Sequence, residues 1–278
     1  SLDGLTQTSA GDGNTALGST ALDSLTAGSG LRNTAVGADA GTAVTTGDDN
    51  VLIGYQAGDS LSTGLRNTAV GSLSFGVSAG AQDNTAIGYN ALNAVTGDQN
   101  VAVGAYALDA NTSGTRNTAV GWTSLSAIVT ASDSTAVGYN ALGLDTGGSN
   151  TAVGSRAGDG ITTGTGNVAI GLNALGGASH GAATDNIGIG NNAGTAIAAS
   201  GNQNVMIGTS AGAAITTGDD NVLIGYQAGD AFDLESQNIA IGTGALGGAT
   251  YAAAANIAIG YFAGDAITVG LRHTAVGW

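Results

Sequence analysis

The sequence predicts an all-β fold, a parallel β-solenoid of about 16 coils. The first observation behind this prediction is the phrase RNTAVG, which occurs at residues 32–37, 66–71 and 116–121 and has close relatives along most of the chain. The second is the composition, because the 278 residues include 50 Gly and no Pro or Cys. A short repeat that cannot bury its apolar residues alone is typical of proteins whose repeats stack on one another.

The repeat is described here from the Asn of the phrase, which we number position 0. Sixteen copies follow one another at intervals of 16 to 19 residues, most often 17, and position 0 is Asn in 14 of them. Position 3 is Val, Ile or Leu and position 4 is Gly in every copy. We therefore expect coils of about 17 residues, each stacked in register on the one before. Position 0 is occupied by residues 14, 33, 50, 67, 84, 100, 117, 134, 150, 167, 186, 204, 221, 238, 256 and 273.

Each phrase has the pattern of one short strand. Positions 1 and 3 are β-branched or apolar and share one face, whereas the small residue at position 2, usually Ala, projects to the other face. We interpret the face of positions 1 and 3 as the inner one, with position 3 pointing inward in every coil. Gly at position 4 then indicates a bend where a Cβ atom would clash or φ is positive. The glycines given this structural role include Gly37, Gly54, Gly71, Gly88, Gly104 and Gly121.

A compensation between two later positions indicates one shared internal space. Position 8 is Leu or Phe in eight copies and Gly in the other seven. In all seven Gly copies, position 11 is a large apolar residue, as at Leu61 and Ile161. Because an empty space in a core is destabilising, we predict a single slot that is filled from either position.

Composition limits the classes of function. The chain has 20 acidic residues against five basic ones and a net charge of −15, so neither nucleic acid nor an anionic membrane is an expected partner. No apolar run is long enough for a membrane-spanning helix, and the first residues do not have the pattern of a signal peptide. Large apolar residues are few, so the core of one chain is thin and side-by-side association of copies is expected.

Several phrases resemble those of known fibrous proteins. NVAVG (100–104), NVAIG (167–171) and STAVG (134–138) are similar to the head repeats of YadA-like trimeric autotransporter adhesins. The pattern at 84–97, NTAIGYNAL followed by TG, is also similar to repeats of phage tail fibres. The resemblance covers about residues 11–278, with coils longer than those of the adhesin heads. It implies a left-handed β-roll, a homotrimer, and an adhesive or receptor-contacting role.

Residues suited to catalysis or cofactor binding are scarce. The two histidines are His180 and His273, and the abundant Ser and Thr have no His and Asp arranged with them. We therefore expect neither an enzyme nor a cofactor. Two GDDN segments carry acidic pairs that are weak candidates for Ca²⁺, with solvated loop charge as the simpler interpretation. These candidates are Asp48, Asp49, Asp219 and Asp220.

Aromatic residues concentrate at position 5, directly after the invariant Gly. Seven of the Tyr and Trp residues occupy this column, out of seven Tyr and two Trp in the chain. One interpretation is packing at a corner or between chains, and the other is a partly exposed ladder that stacks on sugars. The candidate binding residues are Tyr55, Tyr89, Trp122, Tyr139, Tyr226 and Tyr261.

The Asn residues at position 0 are assigned a structural role. Stacked in register, they can hydrogen-bond to one another and to the backbone, or adopt the left-handed conformation of a tight bend. We expect them to be buried, with an irregularity beside Ser134, which replaces Asn. Arg32, Arg66, Arg116 and Arg272 precede position 0 and are expected to pair with neighbouring acidic loops or with another chain. The Asn residues are Asn33, Asn50, Asn67, Asn84, Asn100, Asn117 and Asn150.

These observations predict a structural and adhesive protein. Residues 1–10 lead into one solenoid domain, residues 11–278, whose last coil is incomplete and indicates a fibre that continues. The protein is expected outside the cell, on a cell surface or virion, as a stiff trimeric rod that contacts a host receptor or glycan. A self-assembling extracellular filament is the alternative. An ice-binding solenoid is less favoured, because Thr at position 1 interchanges with Val and Ile, as on an inward face.

Overall fold

The computed structural model describes residues 13–26, 28–177, 181–231, 233–248, 254–267 and 271–278. These ranges contain sixteen strands of three residues each and no helix. Within them there is therefore no helix long and apolar enough to cross a membrane. The strands are β1 (Thr15–Leu17), β2 (Thr34–Val36), β3 (Val51–Ile53), β4 (Thr68–Val70), β5 (Thr85–Ile87), β6 (Val101–Val103), β7 (Thr118–Val120), β8 (Thr135–Val137), β9 (Thr151–Val153), β10 (Val168–Ile170), β11 (Ile187–Ile189), β12 (Val205–Ile207), β13 (Val222–Ile224), β14 (Ile239–Ile241), β15 (Ile257–Ile259) and β16 (Thr274–Val276).

The chain divides into two compact units, unit 1 (residues 1–134) with β1 to β7 and unit 2 (residues 135–278) with β8 to β16. Within each unit every strand pairs in parallel with the next one along the chain, and equivalent positions are aligned. In β2 and β3, for example, Thr34 lies beside Val51. Each unit is therefore a parallel β-solenoid, as the sequence predicts. The expected lead-in, residues 1–10, and His180 lie outside the described residues.

The inner face of each strand is the opposite of the predicted one. Position 2 is buried, with Ala35 and Leu52 both 0% exposed. Positions 1 and 3 lie on the outer face, where Val51 is half-buried and Ile53 is exposed. The prediction that position 3 points inward is therefore wrong. The two-residue alternation was identified correctly, but its phase was displaced by one residue, which exchanges the two faces of a strand.

The narrow interior explains why position 2, and not positions 1 and 3, faces inward. The opposite wall carries buried Ala or Ser at position 7, and positions 8 and 11 fill the space between. A Cβ atom added to Gly188, at position 2 of β11, would lie 2.8 Å from Cγ of Leu175. Where position 2 is large, as at Leu52, position 8 of the same coil is Gly58, and a Cβ there would lie 2.6 Å from Cδ2 of Leu52. A regular column of Val or Ile has no room on this face.

Positions 8 and 11 fill the same interior space, as predicted. Leu92 at position 8 and Leu61 at position 11 are both fully buried. A Cβ atom added to Gly158 would lie 3.3 Å from Cδ1 of Ile161, the position 11 residue of its own coil. Position 8 is left-handed in both kinds of coil, with φ 52° at Leu92 and 60° at Gly58. Burial of the Leu side chain offsets the strain of that conformation.

The invariant Gly at position 4 is required for two reasons, both of them predicted. Its φ lies near +135°, as at Gly71 with φ +139°, in a region that side chains rarely adopt. A Cβ atom on Gly71 would also lie 2.4 Å from the carbonyl oxygen of Gly88, the equivalent residue of the next coil. The bend therefore depends on the absence of a side chain in coil after coil.

The Asn column forms the predicted ladder. The Asn50 backbone N–H donates to Oδ1 of Asn33 at 2.9 Å, and Nδ2 of Asn50 donates to the carbonyl of Gly64 at 2.9 Å. The Asn67 N–H then donates to Oδ1 of Asn50 at 2.9 Å. All three Asn residues are 0% exposed. The left-handed residue is the one before each Asn, such as Asp49 with φ 60°, so the alternative role in backbone conformation is wrong.

Ser134 replaces Asn in the column, and the irregularity expected beside it stays a prediction. Ser134 ends unit 1, is 0% exposed, and its N–H still donates to Oδ1 of Asn117 at 3.0 Å. Unit 2 contains a buried carboxylate, Asp145, which is 0% exposed at a repeat position that is apolar in most coils. Its Oδ1 accepts hydrogen bonds from the Gly147 N–H at 2.9 Å and from Nδ2 of Asn150 at 3.2 Å.

Replacing Gly71 by Ala is expected to lower the free energy of unfolding by about 3 kcal/mol, because the new Cβ both strains the backbone and overlaps a carbonyl. Denaturant unfolding followed by circular dichroism measures the change. Gly80→Ala is the matched control, since Gly80 is exposed and its added Cβ would meet only Oγ1 of Thr63, at 3.1 Å. Equal effects of the two changes would contradict the steric role of position 4.

Replacing Asn117 by Ala is expected to cost about 1–3 kcal/mol, because it leaves buried backbone partners without their hydrogen bonds. Nδ2 of Asn117 donates to the Ala131 carbonyl at 2.9 Å, and its Oδ1 accepts from the Ser134 N–H at 3.0 Å. The same unfolding measurement on Asn191→Ala, at an exposed position outside the column, provides the control. A loss no larger than that of the control would show that the ladder contributes nothing to stability.

Candidate functional site

The outer sheet face consists of the side chains at positions 1 and 3, none of which is charged in any copy. In unit 2, the six strands β10 to β15 carry Val or Ile at both positions. These side chains are partly exposed, with Ile170 at 37% and Ile259 at 40%. With strands spaced by about 4.8 Å, they form an apolar strip roughly 24 Å long. An uncovered strip of this kind marks an interaction surface.

In unit 1 the outer sheet face is more mixed. Position 1 is Thr in β1, β2, β4, β5 and β7 and Val in β3 and β6, whereas position 3 is always apolar. Thr34, Thr68 and Thr85 are half-buried on this face. The inference that Thr interchanges with Val and Ile because position 1 is inward is therefore wrong. Outward columns of Thr at a regular spacing are the feature that an ice-binding face requires.

The aromatic column at position 5 lies outside the interior. Six of its seven members are about half exposed, as with Tyr55 at 51% and Tyr226 at 53%, and Trp278 is 97% exposed. In unit 2, two of them make contacts with residues at position 6. The guanidinium of Arg156 lies 6.0 Å from the ring centroid of Tyr139. The rings of Tyr261 and Phe262 meet edge to face at 4.5 Å and 87°.

Three consecutive coils of unit 1 bring aromatic residues together. Tyr89 and Trp122 occupy position 5 of the first and third coils, with Ala105 between them, and Tyr106 at position 6 of the second coil packs edge to face on Tyr89 at 5.3 Å and 78°. Partial burial raises the pKa of Tyr106, and the nearby Tyr89 and the carboxylate of Asp109 raise it further. We name Tyr89, Tyr106, Asp109 and Trp122 the aromatic ridge.

Tyr106 is the residue of this cluster that the sequence analysis missed. It stands at position 6, one residue beyond the aromatic column. Its backbone is left-handed, with φ 58°, and its ring packs on that of Tyr89. The signal available in the sequence was a second aromatic residue next to the column, as also occurs at Phe262. The spacing of position 5 alone does not find such residues.

Arg residues before position 0 pair with acidic residues at the same position of the next coil, as predicted. Nε of Arg66 lies 2.6 Å from Oδ1 of Asp83, and Nη2 lies 2.9 Å from Oδ2. Arg116 holds Asp133 in the same two-point geometry, at 2.6 and 3.0 Å. These hydrogen bonds hold the pKa of Asp83 and Asp133 below the ordinary range. Arg32 pairs with Asp49 in the same way.

The acidic residues considered for Ca²⁺ have other partners in the structure. Oδ1 of Asp48 accepts a hydrogen bond from the Leu31 N–H at 2.6 Å, and Oδ1 of Asp219 accepts one from the Asn202 N–H at 2.7 Å. Asp220 is exposed and left-handed, with φ 58°. Within the described residues, no three acidic or histidine side chains converge on a common point.

In comparisons with known proteins, no family model matches this sequence, and no curated protein has significant similarity to it. The resemblance to adhesin and tail-fibre repeats therefore stays a prediction from the motifs. Function has to be inferred from the two surfaces described above, the outer sheet face and the aromatic column.

The pH dependence of stability offers a test of two aspartates in unit 1. Burial raises the pKa of Asp109, so its charge destabilises the fold above that pKa, and the penalty disappears as the pH falls below about 4. The Arg116 hydrogen bond lowers the pKa of Asp133, so its contribution is stabilising at neutral pH and is lost as the pH falls through that lowered pKa.

Asp109→Asn is therefore expected to raise Tm at pH 7 by on the order of 1–2 °C, and Asp133→Asn is expected to lower it. The Asp109→Asn difference should disappear near pH 3, and the Asp133→Asn difference should shrink only as the pH falls through the lowered pKa of Asp133. Thermal unfolding in buffers from pH 3 to pH 7 measures them, with each variant serving as the control for the other. Shifts of the same sign at pH 7 would contradict the assigned environments.

Proposed function

We propose that this protein is a structural and adhesive fibre segment that assembles with further copies of itself, as a homotrimer, through the outer sheet face. The observation that carries this proposal is the uncovered apolar surface of the solenoid. In unit 2 twelve side chains, all Val or Ile, project outward from six neighbouring strands. In a monomer this surface would stay in contact with water, at a cost proportional to its area.

A second copy of the chain is the partner that suits this face best. Neither column of the face contains a charged residue, although the chain as a whole carries a net charge of −15. The acidic residues stand in the loops, so equal faces of two copies can approach without placing like charges in contact. Assemblies of identical chains use the same surfaces in each copy, and a face that is apolar in coil after coil suits such use.

The inner core supports the same proposal. The interior is built mostly from Ala at positions 2 and 7, with one or two larger residues at positions 8 and 11 and, in a few coils, a larger residue at position 2. Such coils bury little apolar area for the backbone that they order. Burial of the outer Val and Ile residues between copies would supply the missing area. The three-fold order itself is taken from the resemblance to trimeric adhesin heads.

The adhesive part of the proposal places the fibre outside the cell, on a cell surface or a virion. Its support is the aromatic column, whose members are about half exposed or more in each unit. Tyr and Trp at a regular spacing provide flat apolar surfaces with polar edges, which suit the recognition of a receptor or glycan. The acidic loops disfavour nucleic acid as the target.

Ice binding is the second candidate function, and one observation favours it. Five of the seven strands of unit 1 carry an outward Thr at position 1, and strands at about 4.8 Å intervals give those hydroxyls a regular lattice. Against it, position 1 is Val or Ile in six consecutive strands of unit 2. An apolar strip is better suited to contact with another protein than to contact with water.

Assembly is tested by light scattering after size exclusion. The parent protein at micromolar concentration is expected to have three times the mass of its chain, and Ile224→Arg, on the outer sheet face of β13, is expected to be a folded monomer because a buried unpaired charge is strongly unfavourable. Leu234→Arg is the matched control, since Leu234 is 64% exposed and lies off the face. It should leave the mass unchanged.

A monomeric parent protein would contradict the proposed assembly, and a dimer would reject the three-fold order while leaving the face as the interface. Thermal hysteresis, measured on the same preparations, is expected to be absent. A monomer that shows hysteresis, lost on replacing Thr68 and Thr85 by Tyr, would establish the ice-binding candidate instead.

A further inference from the structure

We propose that the aromatic ridge of unit 1 is a binding site for a neutral carbohydrate. The ridge combines three aromatic side chains on consecutive coils, Tyr89, Tyr106 and Trp122, with the carboxylate of Asp109. This inference rests on the proposed adhesive function for its biological role. The site itself is formed by one chain and can be tested separately.

The aromatic part of the ridge offers open stacking surface. Tyr89 is 47% exposed and Trp122 is 49% exposed. Ala105 occupies position 5 of the coil between them and contributes only a methyl group to the column. The two larger residues are therefore separated by two coil spacings, or about 9.6 Å. A ligand that lies along the column over this distance can contact both residues.

Tyr106 lies on the coil between Tyr89 and Trp122 and packs against Tyr89. Its ring meets the ring of Tyr89 edge to face at 5.3 Å, an arrangement that fixes both side chains relative to each other. The two tyrosines form one ordered wall, and Trp122 stands on the other side of Ala105. Fixed aromatic groups bind with little loss of side-chain entropy.

The polar part of the ridge determines which ligand fits. Asp109 is half-buried on the same coil as Tyr106, three residues further along the chain. A carboxylate accepts hydrogen bonds only, and bonds to it are stronger than those between neutral groups. Sugar hydroxyls are donors of the required kind. The chain's net charge of −15 repels sulfated, phosphorylated or sialylated glycans, so the ligand is neutral.

Tyr55 provides a comparison within the same column. It is 51% exposed, but its neighbours at position 5 are Ala38 and Ser72 and its position 6 neighbour on the next coil is Leu73. Tyr55 therefore presents a single ring without a second aromatic residue, although its own coil carries Asp59 at the position of Asp109. If the column served only to cover a corner, Tyr55 and Tyr89 would be equivalent. If the ridge binds sugars, they differ.

The test uses the full chain and three neutral probes: cellohexaose, maltohexaose and N-acetylchitohexaose. Isothermal titration calorimetry and saturation-transfer NMR measure binding of each. We expect at least one hexasaccharide to bind, and Trp122→Ala and Tyr89→Ala to weaken that binding about tenfold or more. Asp109→Asn should weaken it several-fold, because the amide accepts more weakly than the carboxylate. Tyr55→Ala should leave it unchanged.

Separate readouts distinguish this inference from the proposed assembly. Light scattering on each variant reports the oligomeric state, and Ile224→Arg reports whether a monomer still binds the probe. Sugar binding by monomeric Ile224→Arg would show that one chain forms the site, whereas sugar binding by a monomeric parent protein would support the ridge while contradicting the trimer. No binding of any hexasaccharide at millimolar concentration, equal losses for Tyr55→Ala and Tyr89→Ala, or preference for tetramethylammonium over all three sugars would overturn the carbohydrate site.

Discussion

The structure depends on one constraint, that every residue of a coil stands directly beside its equivalent in the next coil, about 4.8 Å away. A side chain is accepted at a position only if it is compatible with a copy of itself. Gly71 has no side chain, and any residue with a Cβ atom at that position would overlap the carbonyl of Gly88 in the next coil. Asn50 meets it because an amide both donates and accepts, so that each Asn satisfies the next.

The same constraint decides where the large residues go. Positions 2 and 7 are buried and are mostly Ala, and the remaining volume is filled by larger residues at positions 8 and 11. Two columns of β-branched residues do not fit inside such a coil, so they form the outer sheet face. The solenoid thus orders its backbone with a core of mostly small residues and leaves its larger apolar area uncovered. This imbalance is the physical reason to expect partners made of the same chain.

Much of the fold was predictable from the sequence, because stacking converts local rules into repeated ones. Each of these features recurs in many coils, so a chance resemblance in one copy does not change the prediction. They are the period, the strands, the bend at Gly71, the ladder at Asn117 and the shared slot of Ile161. The phase of the strand was not predictable in the same way. Alternation in Thr-Ala-Val is compatible with either face inward, and the choice depends on the distance to residues at position 7, which the local pattern does not contain. Tyr106 was missed because its contact with Tyr89 depends on the left-handed backbone of position 6, which residues of many types adopt and which no residue type marks in the sequence.

The glycine bend also separates two surfaces with different requirements. Position 3, just before the bend, is restricted to Val, Ile and Leu, whereas position 5, just after it, includes Ser, Ala, Thr, Asn, Leu, Tyr and Trp. An assembly face must be alike in every coil, since each coil meets an equivalent coil of another chain. A recognition face has no such requirement, because a ligand contacts only a few coils. Variation at position 5 and uniformity at position 3 are therefore what a fibre needs if it assembles along one face and binds on the neighbouring column.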